Sequence, residues 1–390
     1  VTSTGKVDHM SGSLGAVRSG SATLVNYPST DDLVLHYTFN ENQNGKLYDF
    51  SPNKLHTTDV NNVKSGSSYS KFSNGSGLDF KAGESHIDIN VPTASLGLSP
   101  RRWSVCVWAN LADRGVNNQR FLNFTTSSTS VPYLSFHHSS HPIMYLDAGS
   151  EDYYVYGNQV ITGSGWHHIA FVFDDKEGDT VDDVIKEIYI DGLMATGSGP
   201  ETGWGGGANP WNTTNFTDQW RIGHPSQTST LSGSIDDLRV YKRALTGLEV
   251  EALYSASEGI VIKTGDQANH GFSPGDVIRA QRFTGTGTYQ SDAVVTRVEN
   301  TTTFALEPHS VKPEIGFEYV RLGNIVYTSR QGSVYMTADD DNAPFIDIVD
   351  GITHHSDFNS ASGSGGVKAR VGKLTGVSST TFGNLSGYGL

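Results

Sequence analysis

One cysteine, Cys106, occurs in 390 residues. A lone thiol can form neither an intrachain disulfide nor a cysteine-based zinc site. It lies in Trp103-Ser-Val-Cys-Val-Trp108, which alternates like a half-buried strand, so the thiol reads as buried and inert. Charge is also scarce, with Asp, Glu, Lys and Arg at 17% against a usual ~25%. The basic sign is the scarcer one: 27 Lys+Arg against 41 Asp+Glu give a formal net charge of −14 at pH 7. Nucleic-acid binding, which needs a clustered Lys/Arg surface, is therefore not expected. Nor is membrane insertion, because no apolar run approaches the ~18–20 residues that span a bilayer. The chain opens Val-Thr-Ser-Thr-Gly, without the basic and apolar regions of a signal peptide. Catalytic signatures are missing too: no Gly-x-Ser-x-Gly elbow, His-Glu-x-x-His or phosphate loop is found.

What is abundant points the other way. There are 44 glycines, and aromatics reach 10% with 17 Tyr, 17 Phe and 6 Trp. That aromatic content excludes a disordered chain. A chain of this length normally divides into two or more cores of ~100–250 residues. Low charge with much Gly, Ser, Thr and Asn describes an all-β extracellular or virion-surface protein better than a cytosolic enzyme.

Residues 1–30 are Ser/Gly/Thr-rich and read as a linker or extended arm. From residue 31 short strands follow one another: 33–39, 86–91, 103–110, 133–138, 143–148, 166–173, 187–192, 219–223 and 233–241. Glu187-Ile-Tyr-Ile-Asp-Gly192 ends in an Asp-Gly turn, which favours a tight hairpin through positive φ. The one helix expected starts at Thr246, with Glu249 completing a capping box and Leu248, Ala252 and Leu253 as its apolar side. A boundary falls near residue 256. A second β-rich block runs over 257–352, and 353–390 is a Gly/Ser-rich segment expected to be extended. The fold class is therefore all-β: a sandwich or barrel over 31–256, then a smaller β-rich domain.

Residues 33–255 resemble the laminin-G-like/concanavalin A-like family in its bacterial and viral, pentraxin-related form. The resemblance rests on Leu35-His-Tyr-Thr-Phe-Asn-Glu41, Leu47-Tyr-Asp-Phe-Ser51, Leu78-Asp-Phe80, Trp103–Trp108, Gly165-Trp-His-His-Ile-Ala170, Ile188-Tyr-Ile-Asp-Gly192 and Gly233-Ser-Ile-Asp-Asp-Leu-Arg-Val-Tyr-Lys-Arg-Ala-Leu245, in family order. It implies a two-sheet jelly roll. Residues 259–390 resemble the distal region of bacteriophage tail-fibre or tail-tip proteins. Here the carriers are Phe272-Ser-Pro-Gly-Asp-Val-Ile-Arg-Ala-Gln281, Arg330-Gln-Gly-Ser-Val-Tyr-Met-Thr337, Asn342-Ala-Pro-Phe-Ile-Asp347 and Leu385-Ser-Gly-Tyr-Gly-Leu390. By that resemblance the protein is a homotrimeric fibre with a lectin-like head, found on a virion tail or other extracellular surface.

The resemblance also implies a structural Ca²⁺ where the first and last strands of the jelly roll meet. Asp236 matches the acidic position, with Asn40 and Glu41 as first-strand partners and Asp49 a further candidate. Calcium takes oxygen ligands only. The other reading is that these carboxylates accept hydrogen bonds from neighbouring turns. Sugar binding needs rings to stack on and polar groups for hydroxyls. Trp204 and Trp211 on a Gly-rich loop fit this, as do Tyr153, Tyr154 and Tyr156; packing against the sandwich edge or a neighbouring subunit is the alternative. His137, His138 and His141, and the pair His167-His168, form no complete metal set, since adjacent strand residues point to opposite faces. Glycanases of the concanavalin A-like fold use a Glu-x-Asp-x-x-Glu run, which is absent, so no catalysis is expected. The expected function is non-enzymatic attachment to a cell-surface glycan or receptor. The alternative is a structural virion or appendage subunit whose jelly roll makes only subunit contacts.

Overall fold

The computed structural model describes residues 9–10, 17–22, 28–43, 45–72, 75–81, 85–91, 93–99, 101–112, 119–124, 133–136, 141–147, 152–161, 165–175, 185–197, 220–225, 229, 231–255, 260–264, 269–284, 287–308, 317–338, 342–358, 366–379, 381 and 383–389. They divide into two compact units, one of residues 24–257 and one combining 1–23 with 258–390.

Alternation builds the first unit. In Arg102–Leu111, Trp103, Val105, Val107, Ala109 and Leu111 enter the main core, while Ser104, Cys106 and Trp108 take the other face. His167–Asp174 repeats the pattern with Ile169, Phe171 and Phe173. Such strands assemble into a nine-stranded antiparallel sheet whose main path runs Leu193–Met194, Ile185–Ile190, His167–Asp174, Arg102–Leu111, Gly233–Tyr241, Leu33–Gln43, Lys46–Asp49. A second sheet of seven runs Asp152–Tyr156, Pro142–Asp147, Tyr133–Phe136, Gln119–Asn123, Trp220–Gly223, His86–Ile89, Val60–Asn61. One apolar cluster joins them: Trp103 of the first sheet packs on Phe124 at the end of a second-sheet strand, ring centroids 5.0 Å apart. This is the expected sandwich.

The outer face of the nine-stranded sheet is buried as well, because the chain after it folds back. The Ser104 hydroxyl donates to the Arg243 carbonyl and accepts from the Leu245 N–H, and Tyr254 stacks on Trp108 with centroids 5.7 Å apart. Tyr254 belongs to the helix Gly247–Ser255, which carries the expected cap: the Thr246 N–H donates to Glu249 and the Glu249 N–H to Thr246. Its buried side differs from expectation. Val250, Ala252 and Leu253 are buried, whereas Leu248 is 60% exposed, since two residues turn a helix by about 200° and put it opposite Val250.

The second unit contains a closed barrel, ordered Ile260–Thr264, Val17–Ala22, Glu318–Asn324, Asp276–Thr284, Gly287–Asn300, Thr303–Pro308. The stretch expected as a linker thus supplies a barrel strand. A ladder needs only backbone donors and acceptors, so a Ser/Gly-rich stretch can pair without an alternating apolar pattern. Val17–Ala22 lies antiparallel to Ile260–Thr264, with Ala22 opposite Ile262, so the sandwich leaves and rejoins this unit on neighbouring strands. A five-stranded sheet follows, ordered His9–Met10, Ser333–Thr337, Phe345–Val349, Val367–Lys373, Tyr388–Gly389; the last two strands come from the segment expected to be extended.

The faces of that sheet are unusual. Its buried side holds an ion pair, with Arg370 donating to both oxygens of Asp347 at 2.6 and 2.7 Å. Its other side is aliphatic: Val334, Ile346, Ile348 and Val371 are 39–50% exposed, with Val334 paired to Ile348 and Ile346 to Val371.

Candidate functional site

The seven-stranded sheet has one face in the core and one turned away from it. Directly paired residues share a face, so the ladder defines what lies on the outer one. Asp88 stands opposite Arg221, Arg221 opposite Asn123, Asn123 opposite Tyr133, Tyr133 opposite Tyr145, and Tyr145 opposite Tyr154. Six strands thus contribute one residue each to a single row: a carboxylate, a guanidinium, an amide and three tyrosines. Beside it, Arg120 stands opposite Ser135, Ser135 opposite Ile143, and Ile143 opposite Tyr156. The two rows lie on one face because the register slips between Arg120 and Leu122, which sends both Phe121 and Leu122 into the core and returns Asn123 to the side of Arg120.

The polar end of the row is held firmly. Arg221 donates to both oxygens of Asp88, at 2.6 and 2.9 Å, and the Asn123 side-chain amide donates to the Gly223 carbonyl at 2.9 Å. At the aromatic end Tyr133 and Tyr145 stack nearly parallel, 7° apart with centroids at 4.3 Å. The Arg120 guanidinium sits 4.2 Å from the Tyr133 ring centre on a cation–π contact. Next to this, His224 is pushed down to about 4 by burial first, then by Arg120, Arg221 and His86. The strip thus brings rings, charge-assisted donors and amide groups together, with Asn123, Tyr133, Ser135, Ile143 and Tyr145 themselves buried.

Of the aromatic candidates read from sequence, Tyr154 holds a register position in this row and half-buried Tyr156 one in the row beside it. Tyr153 pairs with Leu146, at the alternate position of the same strand. Trp204 and Trp211 lie outside the described residues, as do His137 and His138. Sequence reasoning missed Asp88, Arg120, Asn123, Tyr133, Tyr145 and Arg221. The signal present was the polar half of each alternating strand, as in His86-Ile-Asp-Ile; the pairing of Asp88 with Arg221, 133 residues away, is not local information.

The cation candidates fall into two places. Asp236 is buried, accepting from the Ser70 hydroxyl at 2.8 Å, the Lys71 N–H at 3.0 Å and its neighbour Asp237's N–H at 2.9 Å. Burial, chiefly, pushes its carboxyl well above the ordinary range. Asn40 reaches the same loop, its Oδ1 accepting from the Ser76 N–H at 2.9 Å. The Asn40 and Ser70 side-chain oxygens converge on Gly75, where an added Cβ would stand 2.7 Å from each. Asp236, Asn40 and Ser70 thus bring an oxygen-only donor set to one loop, as a hard cation requires. No group of three or more His, Cys, Asp or Glu side chains able to hold a metal occurs among the described residues, so a cation there would depend on amide, hydroxyl and backbone oxygens. The Glu41 side chain lies outside the described ones.

Asp49 is engaged elsewhere. Its carboxylate accepts the N–H groups of His36, Ser51 and Leu55 at 2.8, 2.9 and 2.7 Å and the Ser51 hydroxyl at 2.7 Å, the turn-holding role that was the alternative reading. Asp237, beside Asp236, bonds His36 at 2.7 Å and Arg239 at 3.2 Å. Burial alone would raise its carboxyl, but Arg239 and His36 together hold it below the usual range.

The family model Laminin_G_3, described as the concanavalin A-like lectin/glucanases superfamily, matches residues 81–251. No curated protein matches the chain. Among solved structures, domain 4 of AbnA, a GH43 extracellular arabinanase from Geobacillus stearothermophilus in complex with arabinotriose, is 19% identical; the match covers 60% of this chain and 99% of that one, with a TM-score of 0.40. The Ruminococcus gnavus IT-sialidase CBM40 bound to alpha2,3 sialyllactose is 16% identical over 45% of this chain and 96% of that one, TM-score 0.32. Trypanosoma rangeli sialidase is 13% identical over 62% of this chain and 36% of that one, TM-score 0.42, so the chain spans about a third of that enzyme's length. Two packed antiparallel sheets, the capped helix that closes them and the matched model agree: residues 81–251 carry a concanavalin A-like jelly-roll domain.

Proposed function

We propose that this protein is a non-enzymatic attachment protein, a phage or phage-like tail fibre whose jelly roll binds a cell-surface glycan. The observation that carries the glycan part is the polar-to-aromatic row from Asp88 to Tyr154 across the seven-stranded sheet. Trp204 and Trp211, the tryptophans of the Gly-rich stretch, are the further stacking rings of this reading. Each ring adds roughly 0.5–1.5 kcal/mol beyond the area it buries, so single-site affinity is low and many copies supply avidity. A glycan array with the full chain tests this. Binding in the wild type that is lost in the Trp204→Ala, Trp211→Ala double variant supports it, and failure to bind any glycan or host cell overturns it. Release of reducing sugar from host polysaccharide would make the protein an enzyme instead.

The fibre part draws on the C-terminal motifs and on the aliphatic face around Ile348, which suits association into a homotrimer on a virion tail or other extracellular surface. That face equally serves a structural appendage subunit, the reading that stands if no glycan binds. We further propose a structural Ca²⁺ held by Asp236, Asn40 and Ser70, with Glu41 close in sequence, tying residues 70–72 and 75–76 to the sheet. Because a cation that binds only the folded state stabilises it by mass action, EDTA lowers the melting temperature and added Ca²⁺ restores it. An unchanged melt removes the cation.

A further inference from the structure

Buried polar atoms in folded proteins are almost always hydrogen-bonded, and each exception calls for an explanation. Three exceptions lie on the outer face of the seven-stranded sheet: Arg120 Nε, Ser135 Oγ and Asn123 Oδ1 have no hydrogen-bond partner. Their positions are linked. Arg120 is directly opposite Ser135, and Asn123 follows the register slip that returns the strand to the same face. Ser135 and Asn123 are 0% and 2% exposed, and Arg120 is partly exposed. The Asn123 amide is already used on Gly223, which leaves its oxygen as an unused acceptor. Arg120 has no carboxylate partner among the described residues, only the face of Tyr133.

Among the described residues, the free charge on this face is basic. Arg221, His86 and His224 are the titratable neighbours, and burial together with Arg120, Arg221 and His86 pushes His224 down to about 4. Asp88 is the acidic group in the row, and Arg221 occupies both of its oxygens. A partly buried guanidinium without a counter-charge is costly, and a planar anion relieves that cost through a bidentate pair. This occurs in a chain whose net charge is −14, so the local excess of positive charge opposes the overall balance.

We propose that this face holds a subsite for an anionic sugar substituent, a carboxylate or sulfate ester, with Arg120 and Ser135 donating to the anion and Asn123 accepting a sugar hydroxyl. The proposal deepens the glycan-binding reading of the same face and rests on it. It adds the ligand class, acidic glycans, which neither the aromatic rings nor the overall charge indicates.

Calorimetric titration of the full chain tests it with five probes: a uronic-acid oligosaccharide, a sulfated one, their carboxyl-reduced and desulfated counterparts, and sodium sulfate or phosphate alone. At least one acidic sugar binds ten-fold or more tighter than its neutral counterpart, and that preference weakens as salt rises. In Arg120→Met the ratio of acidic to neutral affinity falls to about one. Arg120→Lys, which keeps the charge but not the planar fork, retains the fold by its melt and loses the preference several-fold. Equal affinity for acidic and neutral sugars, or a preference that survives Arg120→Met, overturns the subsite and leaves glycan binding standing. Inorganic ions binding as tightly as the acidic sugars assign the site to a free anion and overturn the sugar reading of it. Failure of every glycan to bind overturns both readings.

Discussion

His168 shows how burial can dominate a residue's chemistry. It sits on the outer face of the nine-stranded sheet, 2% exposed, 5.4 Å from the Trp108 ring. Burial pushes it down to about 4; Asp237 and Asp191 oppose the shift and Arg239 adds to it. The unfolded chain takes up this proton near the ordinary value of ~6.5, while the folded chain refuses it until about 4. Its contribution to stability is therefore complete above pH 6.5 and is lost as pH falls from there to 4. The loss is on the order of 3 kcal/mol for a shift of this size. Denaturant unfolding of wild type and His168→Gln between pH 7 and 4 measures it: the variant's stability falls less steeply with acid, and identical slopes would refute the assignment. Cys106 is the same effect on a thiol. Burial first, opposed by Arg239, pushes it up to about 12, in keeping with the inert side chain its alternating surroundings suggested.

At the scale of elements, what was legible followed from rules that act over a few residues. The alternation in 103–110 and 166–173 identified strands of the nine-stranded sheet, and Asp191 and Gly192 both have positive φ, 51° and 79°, in the hairpin their dipeptide implied. The Thr246–Glu249 cap was likewise readable, while the helix's buried side was not, because tertiary contact selected Val250 over Leu248. The candidate site lay beyond such rules. Its row joins strands that begin at residues 86, 119, 133, 142, 152 and 220, and its two halves share a face only through one register slip. A slip of that kind reverses which residues face outward, and nothing in Gln119-Arg-Phe-Leu-Asn123 announces it. The aromatic doublet was found from sequence, but only the ladder separates Tyr154 and Tyr156 from Tyr153.

For the whole molecule, the five-stranded sheet bears on association. One side buries Tyr335, Phe345 and Val349 together with the Asp347–Arg370 pair, the other leaves aliphatic side chains exposed, and exposed apolar patches of this kind mark contacts with other chains. The reading of a fibre predicts a solution mass three times 42.1 kDa, and the Ile348→Lys, Val371→Lys variant runs as a monomer in the same light-scattering measurement. A monomeric wild type would sink the fibre and leave a free lectin-like protein.

The two neighbouring strands Val17–Ala22 and Ile260–Thr264 carry one more consequence. They form the two sides of what would otherwise be a hairpin, and residues 24–257 occupy the place of its turn. Hairpin turns are where folds tolerate inserted domains. The sandwich is in that sense a cassette: residues 24–257 can be exchanged as one insertion, while the barrel keeps its own ladder.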